Sequence, residues 1–203
     1  MDSFWDIFKP ESIIHYGGLA LLLFVVFAET GLFIGFFLPG DSLMFVSGLI
    51  CRTQPGLLPL DIFPLIVCLI AAAVAGNIAG YWFGKKVGPA LFTRDDTLLF
   101  KKKYVEVTRK FYDKYGGPAL ILGRFFPIIR TFAPILAGVI KVNTGIFMLY
   151  NVIGATAWIA SLALCGYFLG TYQWVSDHLG WIIIGLIIIT MFPILGVWIN
   201  KRK

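Results

Sequence analysis

The sequence predicts an all-α membrane protein, built from spanning helices plus two opposed re-entrant helical hairpins in an inverted-repeat arrangement. Three observations carry that prediction. Of 203 residues, 59% are hydrophobic and 14% charged, against about 45–50% and about 25% in an average soluble domain. The apolar residues gather in runs long enough to cross a bilayer. Two of those runs are broken at prolines and carry charges. A soluble all-α protein with a large core is the alternative, and its helices should each show a polar stripe.

Taken in order, residues 1–16 read as an interfacial segment. MDSFWDIFKPES opens with acids and aromatics, where a signal peptide needs a basic stretch and an early apolar core. The first apolar run is therefore expected to be retained. Residues 17–84 form a first repeat. It holds an apolar run interrupted by Glu29, a breaker at LPGD (38–41), a loop at 51–61 and a spanning helix over 62–84. Whether 12–28 crosses, lies at the interface or forms the first arm of a hairpin stays open. Residues 85–117 are dense in Lys and Arg, and 97–114 has a rough apolar face, as an interfacial helix on anionic headgroups would. Residues 118–170 form a second repeat, an apolar run broken at Pro127 and Pro134 followed by a spanning helix over 145–170. Residues 171–203 supply a further apolar helix, over 180–199, ending in KRK.

Positive charge fixes orientation. The basic 85–117 segment and the terminal KRK should both be cytoplasmic. Between them lie one broken segment and two whole helices. Two crossings return the chain to its starting side, so 118–140 must enter and leave from the cytoplasm. Helix 62–84 then runs from outside to inside, and the segment Glu29–Ile50, split at Pro39-Gly40, becomes the mirror hairpin. Non-helical backbone at membrane depth is tolerated where it is buried in protein or lines a cavity. The halves also match in detail. Pro39 and Pro127 are 88 residues apart (127 − 39), and the Gly-Tyr pairs of GYWFG (80–84) and GYFLG (166–170) are 86 apart (166 − 80). Such a duplication, with opposed entry sides, is the inverted repeat of many secondary transporters.

Four ionisable residues stand at the broken segments: Glu29, Asp41, Arg124 and Arg130. Charges at mid-helix cost about 2.5–3.5 kcal/mol on insertion scales and are usually paired and functional. Arginine cannot discharge, and its planar fork suits carboxylate or phosphate. If the hairpins meet tip to tip, each carboxylate can find a guanidinium, and the break at Pro127 lets Arg124 and Arg130 converge. The plain alternatives are a structural ion-pair cluster, and Asp41 as a cap of the next helix. Pro39, Gly40 and Pro127 are the expected hairpin breaks. Asn77, Tyr81 and Asn151 are supporting candidates, Asn77 first as an interhelical hydrogen bond. Gly76, Gly80, Gly84 and Gly88 recur every fourth residue, a smooth face for an internal helix or a homodimer.

Other chemistry is not indicated. Cys51, Cys68 and Cys165 are too scattered for a disulfide framework or zinc site, and Cys68 and Cys165 read as packing residues. His15 and His178 lack partners, so neither metal nor cofactor is expected. Trp5, Trp174, Trp181 and Trp198 read as interface anchors. No nucleic-acid partner is expected for basic residues read as lying on a membrane surface.

FAETGLFIGFFLPGDSLMFVSG (27–48), GNIAGYWFGKKVG (76–88), GGPALILGRFFPIIRTFAPILAGV (116–139) and FMLYNVIGATAW (147–158) together resemble the DedA family, also called VTT or SNARE-associated membrane proteins. The resemblance covers about residues 15–170. It implies a small helical membrane domain with two opposed re-entrant hairpins, and proteins that move lipids between leaflets. In bacteria these lipids include undecaprenyl phosphate, or phospholipids such as phosphatidylethanolamine. Several members depend on the proton motive force. Their essential acids match Glu29 and Asp41, and their essential arginines match Arg124 and Arg130. The resulting expectation is a proton-coupled flippase of a phosphate-bearing lipid in a bacterial cytoplasmic membrane, multi-pass with a cytoplasmic C-terminus. Arg124 and Arg130 would bind phosphate, and Glu29 and Asp41 would hold them otherwise. Its partners would be membrane lipids and protons. The main rival is a proton-coupled exchanger of small ions or cationic drugs; an enzyme on lipid phosphates and a non-transporting scaffold rank below it.

Overall fold

The computed structural model describes residues 10–32, 38, 40–54, 56–92, 112, 116–124, 127–172, 174, 175, 178, 181, 182 and 185. Among them regular structure is helical, with no β-strand: α1 (Pro10–Gly31), α2 (Gly40–Thr53), α3 (Ile62–Phe92), α4 (Pro118–Gly123), α5 (Pro127–Val139) and α6 (Thr144–Leu169). Pro10, Pro118 and Pro127 each stand first in a helix, where a missing N–H costs nothing and a fixed φ helps. Pro39, residues 1–9 with Trp5, most of the basic 85–117 segment, and Trp198 with most of the 180–199 helix lie outside the described residues.

Among the described residues, two stretches are long and apolar enough to cross a membrane, Ile62–Val87 and Thr144–Leu169, 26 residues each. At about 1.5 Å per residue each is about 39 Å long, more than the roughly 30 Å of hydrocarbon. α3 runs past the expected end at 84, through Lys85 and Lys86 to Phe92, about two further turns. α1 is kinked at Gly18, whose φ of 55° takes it out of the helix. The apolar piece beyond, Gly18–Gly31, and α2 have 14 residues each. At about 21 Å each is shorter than the roughly 30 Å of hydrocarbon.

Pro127 is a break, as expected, but Pro134 is not. It lies buried inside α5, and the helix gives up one bond, because Pro134 has no N–H to offer the Arg130 carbonyl. α5 stops at a Schellman turn. Val142 N–H donates to Ala137 O (3.0 Å), Lys141 N–H donates to Gly138 O (3.0 Å), and Lys141 takes a left-handed φ of 56°. Asn143 then caps α6, its Oδ1 accepting from the N–H groups of Gly145 (2.9 Å) and Ile146 (3.3 Å).

The chain divides into two compact units, one of residues 1–26, 37–72 and 157–203, the other of 27–36 and 73–156. In the first, α2 is buried from Ser42 to Ile50 and packs on the second half of α6. A methyl at Gly48 would overlap the Ala163 carbonyl, and one at Gly166 the Phe45 carbonyl. Arg52 lies 5.5 Å from the centre of the Tyr167 ring. In the second unit, α5 packs on the second half of α3. A methyl at Gly84 would overlap the Ile135 carbonyl, and one at Gly138 the Tyr81 carbonyl. Tyr81 stacks on Phe147 (centroids 4.4 Å apart) and donates its hydroxyl to Val142 O (2.7 Å), closing a core with Ala137 and Val142.

Each unit thus holds a similar internal contact, a short helix pressed on the Gly-Tyr-x-x-Gly end of a long apolar helix. The pairing is exchanged between sequence halves: α2 from the first half meets α6 of the second, and α5 from the second meets α3 of the first. The glycine stripe of α3 is used internally. Gly76 meets Thr30 and the Phe27 carbonyl, Gly80 meets Gly31, Pro134 and Ile135, and Gly84 meets Ile135. That use matches the internal reading of the stripe. Cys165, expected to be a packing residue, is instead exposed on α6.

Candidate functional site

The interior of the second unit gathers polar groups onto apolar helices. Glu29 stands in the last turn of α1, Arg130 in the first turn of α5, Arg124 in the turn closing α4, Asn77 in α3 and Asn151 in α6. All are buried, Glu29 at 3% exposure, Arg130 at 5% and Arg124 at 6%.

Arg130 Nη2 donates to Glu29 Oε1 in a buried ion pair. The location of these charges is informative. The C-terminal end of a helix disfavours an acid and the N-terminal end disfavours a base, yet Glu29 and Arg130 occupy those ends of α1 and α5. The helices gain nothing from placing them there, and a buried pair is weak ground for stability on its own. Their neighbours tie the same elements together. Thr131 hydroxyl donates to the Glu29 carbonyl (3.5 Å), and Thr30 hydroxyl lies within reach of the Phe27 (3.2 Å) and Ala73 (3.3 Å) carbonyls.

Arg124 meets an amide. Its Nη2 donates to Asn151 Oδ1, which also accepts from Asn77 Nδ2 (3.0 Å), while Asn151 Nδ2 points to the Val74 carbonyl (3.4 Å). Asn77 is thus the interhelical link foreseen in the sequence. Gly154, one turn beyond Asn151 on α6, leaves room for the guanidinium stem. A methyl there would stand 2.8 Å from Arg124 Cδ and 2.9 Å from Nε.

Asp41 lies in the first turn of α2, half-buried, where its charge suits the helix dipole; it belongs to the first unit. Gly40 opens α2 and Pro127 opens α5. Tyr81 is a packing and turn-closing residue in this arrangement. The hub role of Asn151 and the space at Gly154 escaped sequence reasoning. The available signal was a single amide inside an apolar run, followed one turn later by a glycine. Thr30 and Thr131, each directly after a charged residue, were equally readable. Chemically, the arrangement holds two guanidinium groups away from water, one engaged by a carboxylate and one by an amide. An oxyanion would compete well for either.

Residues 38–168 match the VTT domain. The chain is 38% identical over 190 residues to Protein DedA of Escherichia coli K12, covering 93% of this chain and 86% of that one. It is 39% identical over 174 residues to an uncharacterized membrane protein of Mycobacterium tuberculosis H37Rv, 86% of this chain and 75% of the other. It is 29% identical over 164 residues to the inner membrane protein YghB of Escherichia coli K12, 79% and 73% of the two chains. No solved structure matches it.

Proposed function

The chain belongs to the VTT-domain family of DedA-type membrane proteins, and from that premise we propose that it carries a phosphate-bearing lipid between the leaflets of a bacterial cytoplasmic membrane. One observation carries the reading: the Glu29–Arg130 pair, buried and set at the disfavoured ends of two helices. A protein that places charges so is using them on something other than stability.

In this reading Arg124 and Arg130 take the phosphate, while the acyl or isoprenyl chain stays in lipid alongside. Undecaprenyl phosphate and phosphatidylethanolamine are the candidate cargoes. Glu29 holds Arg130 when no lipid is bound. A proton on Glu29 ends the pair's Coulomb attraction and frees the guanidinium, which couples movement to protons. Asp41, in the first turn of α2, is the second carboxylate assigned to proton coupling. The two 14-residue pieces, Gly18–Gly31 and α2, are arms of one re-entrant hairpin, and α4 with α5 forms the other, inverted relative to the first. The exchanged packing of α2 on α6 and α5 on α3 supports a duplicated design.

The test is leaflet exchange of fluorescent lipid phosphate in proteoliposomes. Wild type is expected to accelerate exchange, more so with an imposed proton gradient. Arg130→Ala should lower the rate to near that of protein-free liposomes. Equal rates for the two proteins would remove the role assigned to Arg130.

A further inference from the structure

We propose that Arg124, Asn151 and Asn77 form a headgroup reader that demands a hydrogen donor from the lipid as well as an oxyanion. The inference rests on the reading that Arg124 binds lipid phosphate. A guanidinium only donates, so Asn151 must turn its Oδ1 toward Arg124 Nη2. Its Nδ2 is thereby committed to the side of the Val74 carbonyl. Asn77 approaches the same Oδ1 at 3.0 Å, and two carbonyl oxygens would repel there, so Asn77 must present Nδ2. The orientation of Arg124 thus passes through Asn151 and dictates that of Asn77.

This chain of amides leaves one donor and one acceptor over. Among the described residues, Arg124 Nη1 and Asn77 Oδ1 are both buried without a hydrogen-bond partner, on residues 6% and 1% exposed. Such atoms are costly to leave unmade, and both belong to groups converging on Asn151 Oδ1. A phosphate oxygen satisfies Nη1. It cannot satisfy Asn77 Oδ1, because both are acceptors. The missing partner is an N–H or O–H carried close to the phosphate. A primary ammonium headgroup offers the first, and a protonated phosphate monoester offers the second. A trimethylammonium headgroup offers neither. Asn77 is the specificity-determining residue and Asn151 a positioning residue for Arg124.

The test titrates the full-length protein in detergent with four lipids of identical chains: phosphatidic acid, phosphatidylethanolamine, phosphatidylcholine and diacylglycerol. Binding is read by native mass spectrometry. The two donor-bearing phospholipids are expected to bind about tenfold more tightly than phosphatidylcholine, the scale of one buried acceptor left unmade. Whichever of them binds better identifies the source of the donor. Asn77→Leu should bring phosphatidylcholine level with phosphatidylethanolamine. Asn151→Leu should flatten the ranking, and Asn151→Asp, which keeps an oxygen toward Arg124, should restore it. Equal wild-type affinity for all three phospholipids overturns the inference and needs no variant to fold. Equal affinity for phospholipids and diacylglycerol would instead count against phosphate binding itself.

Discussion

Glu29 and Arg130 are joined across 101 positions of chain by one buried contact. Removing one member of such a pair strands a charge, at a cost of about 3–5 kcal/mol, while replacing both with apolar or neutral groups of similar size is often tolerated. Glu29→Gln is therefore expected to lower the melting temperature of the purified protein in detergent. Adding Arg130→Met should recover most of the loss. If the double variant melts no higher than Glu29→Gln alone, the contact contributes no coupling and the pair is incidental. Arg124 behaves differently because its partner is neutral. Asn151→Leu strands a charge beneath an apolar side chain, and Gly154→Ala crowds the guanidinium stem. Both should cost stability, Gly154→Ala the less, since a side chain can shift further than a backbone.

Glycines set how closely the elements approach. At Gly84 and Gly166 an added methyl would overlap a backbone carbonyl, Ile135 and Phe45 respectively, so neither contact can relax by a rotamer change. Gly84→Ala and Gly166→Ala are each expected to destabilise by about 1–3 kcal/mol, the range for overpacking. Gly185, with no described residue within 4 Å of an added methyl, should accept alanine without loss. Thermal melts of the three variants check this, and a stable Gly84→Ala would mean that α3 and α5 are not held at that spacing. The every-fourth-residue pattern of Gly76, Gly80 and Gly84 announced a close contact in the sequence, but its occupants did not follow from it. They come from α1 and α5, and nothing in a local pattern names a distant partner. The uninterrupted course of α5 through Pro134 was equally hidden. A proline shows that a helical bond is lost, and only the packing around it shows whether the helix survives the loss.

For the whole molecule, the decisive question is which ends of the segments share a side. In the proposed arrangement the two long apolar helices cross and the two hairpins turn back. In a chain freed of its native cysteines, Gln54→Cys and Tyr172→Cys, both at exposed positions, should react with a membrane-impermeant maleimide on intact cells. Lys141→Cys, exposed in the turn before α6, should react only after permeabilisation. Labelling of Lys141→Cys from outside would mean that 118–140 crosses, and the re-entrant hairpin would fall.

The sequence alone determined the membrane class, two helices long and apolar enough to span, the breaks at Pro127 and before Gly40, and the four charges that distinguish the chain from an inert bundle. These depend on composition, run length and the geometry of single residues, all local quantities. Tertiary structure alone decided that Glu29 meets Arg130, that Arg124 is held through Asn151 and Asn77, and that α2 and α5 each pack on the long apolar helix of the other half. Those facts depend on contacts between segments tens of residues apart, where many pairings satisfy the same hydrophobicity and only close packing and hydrogen-bond geometry choose among them.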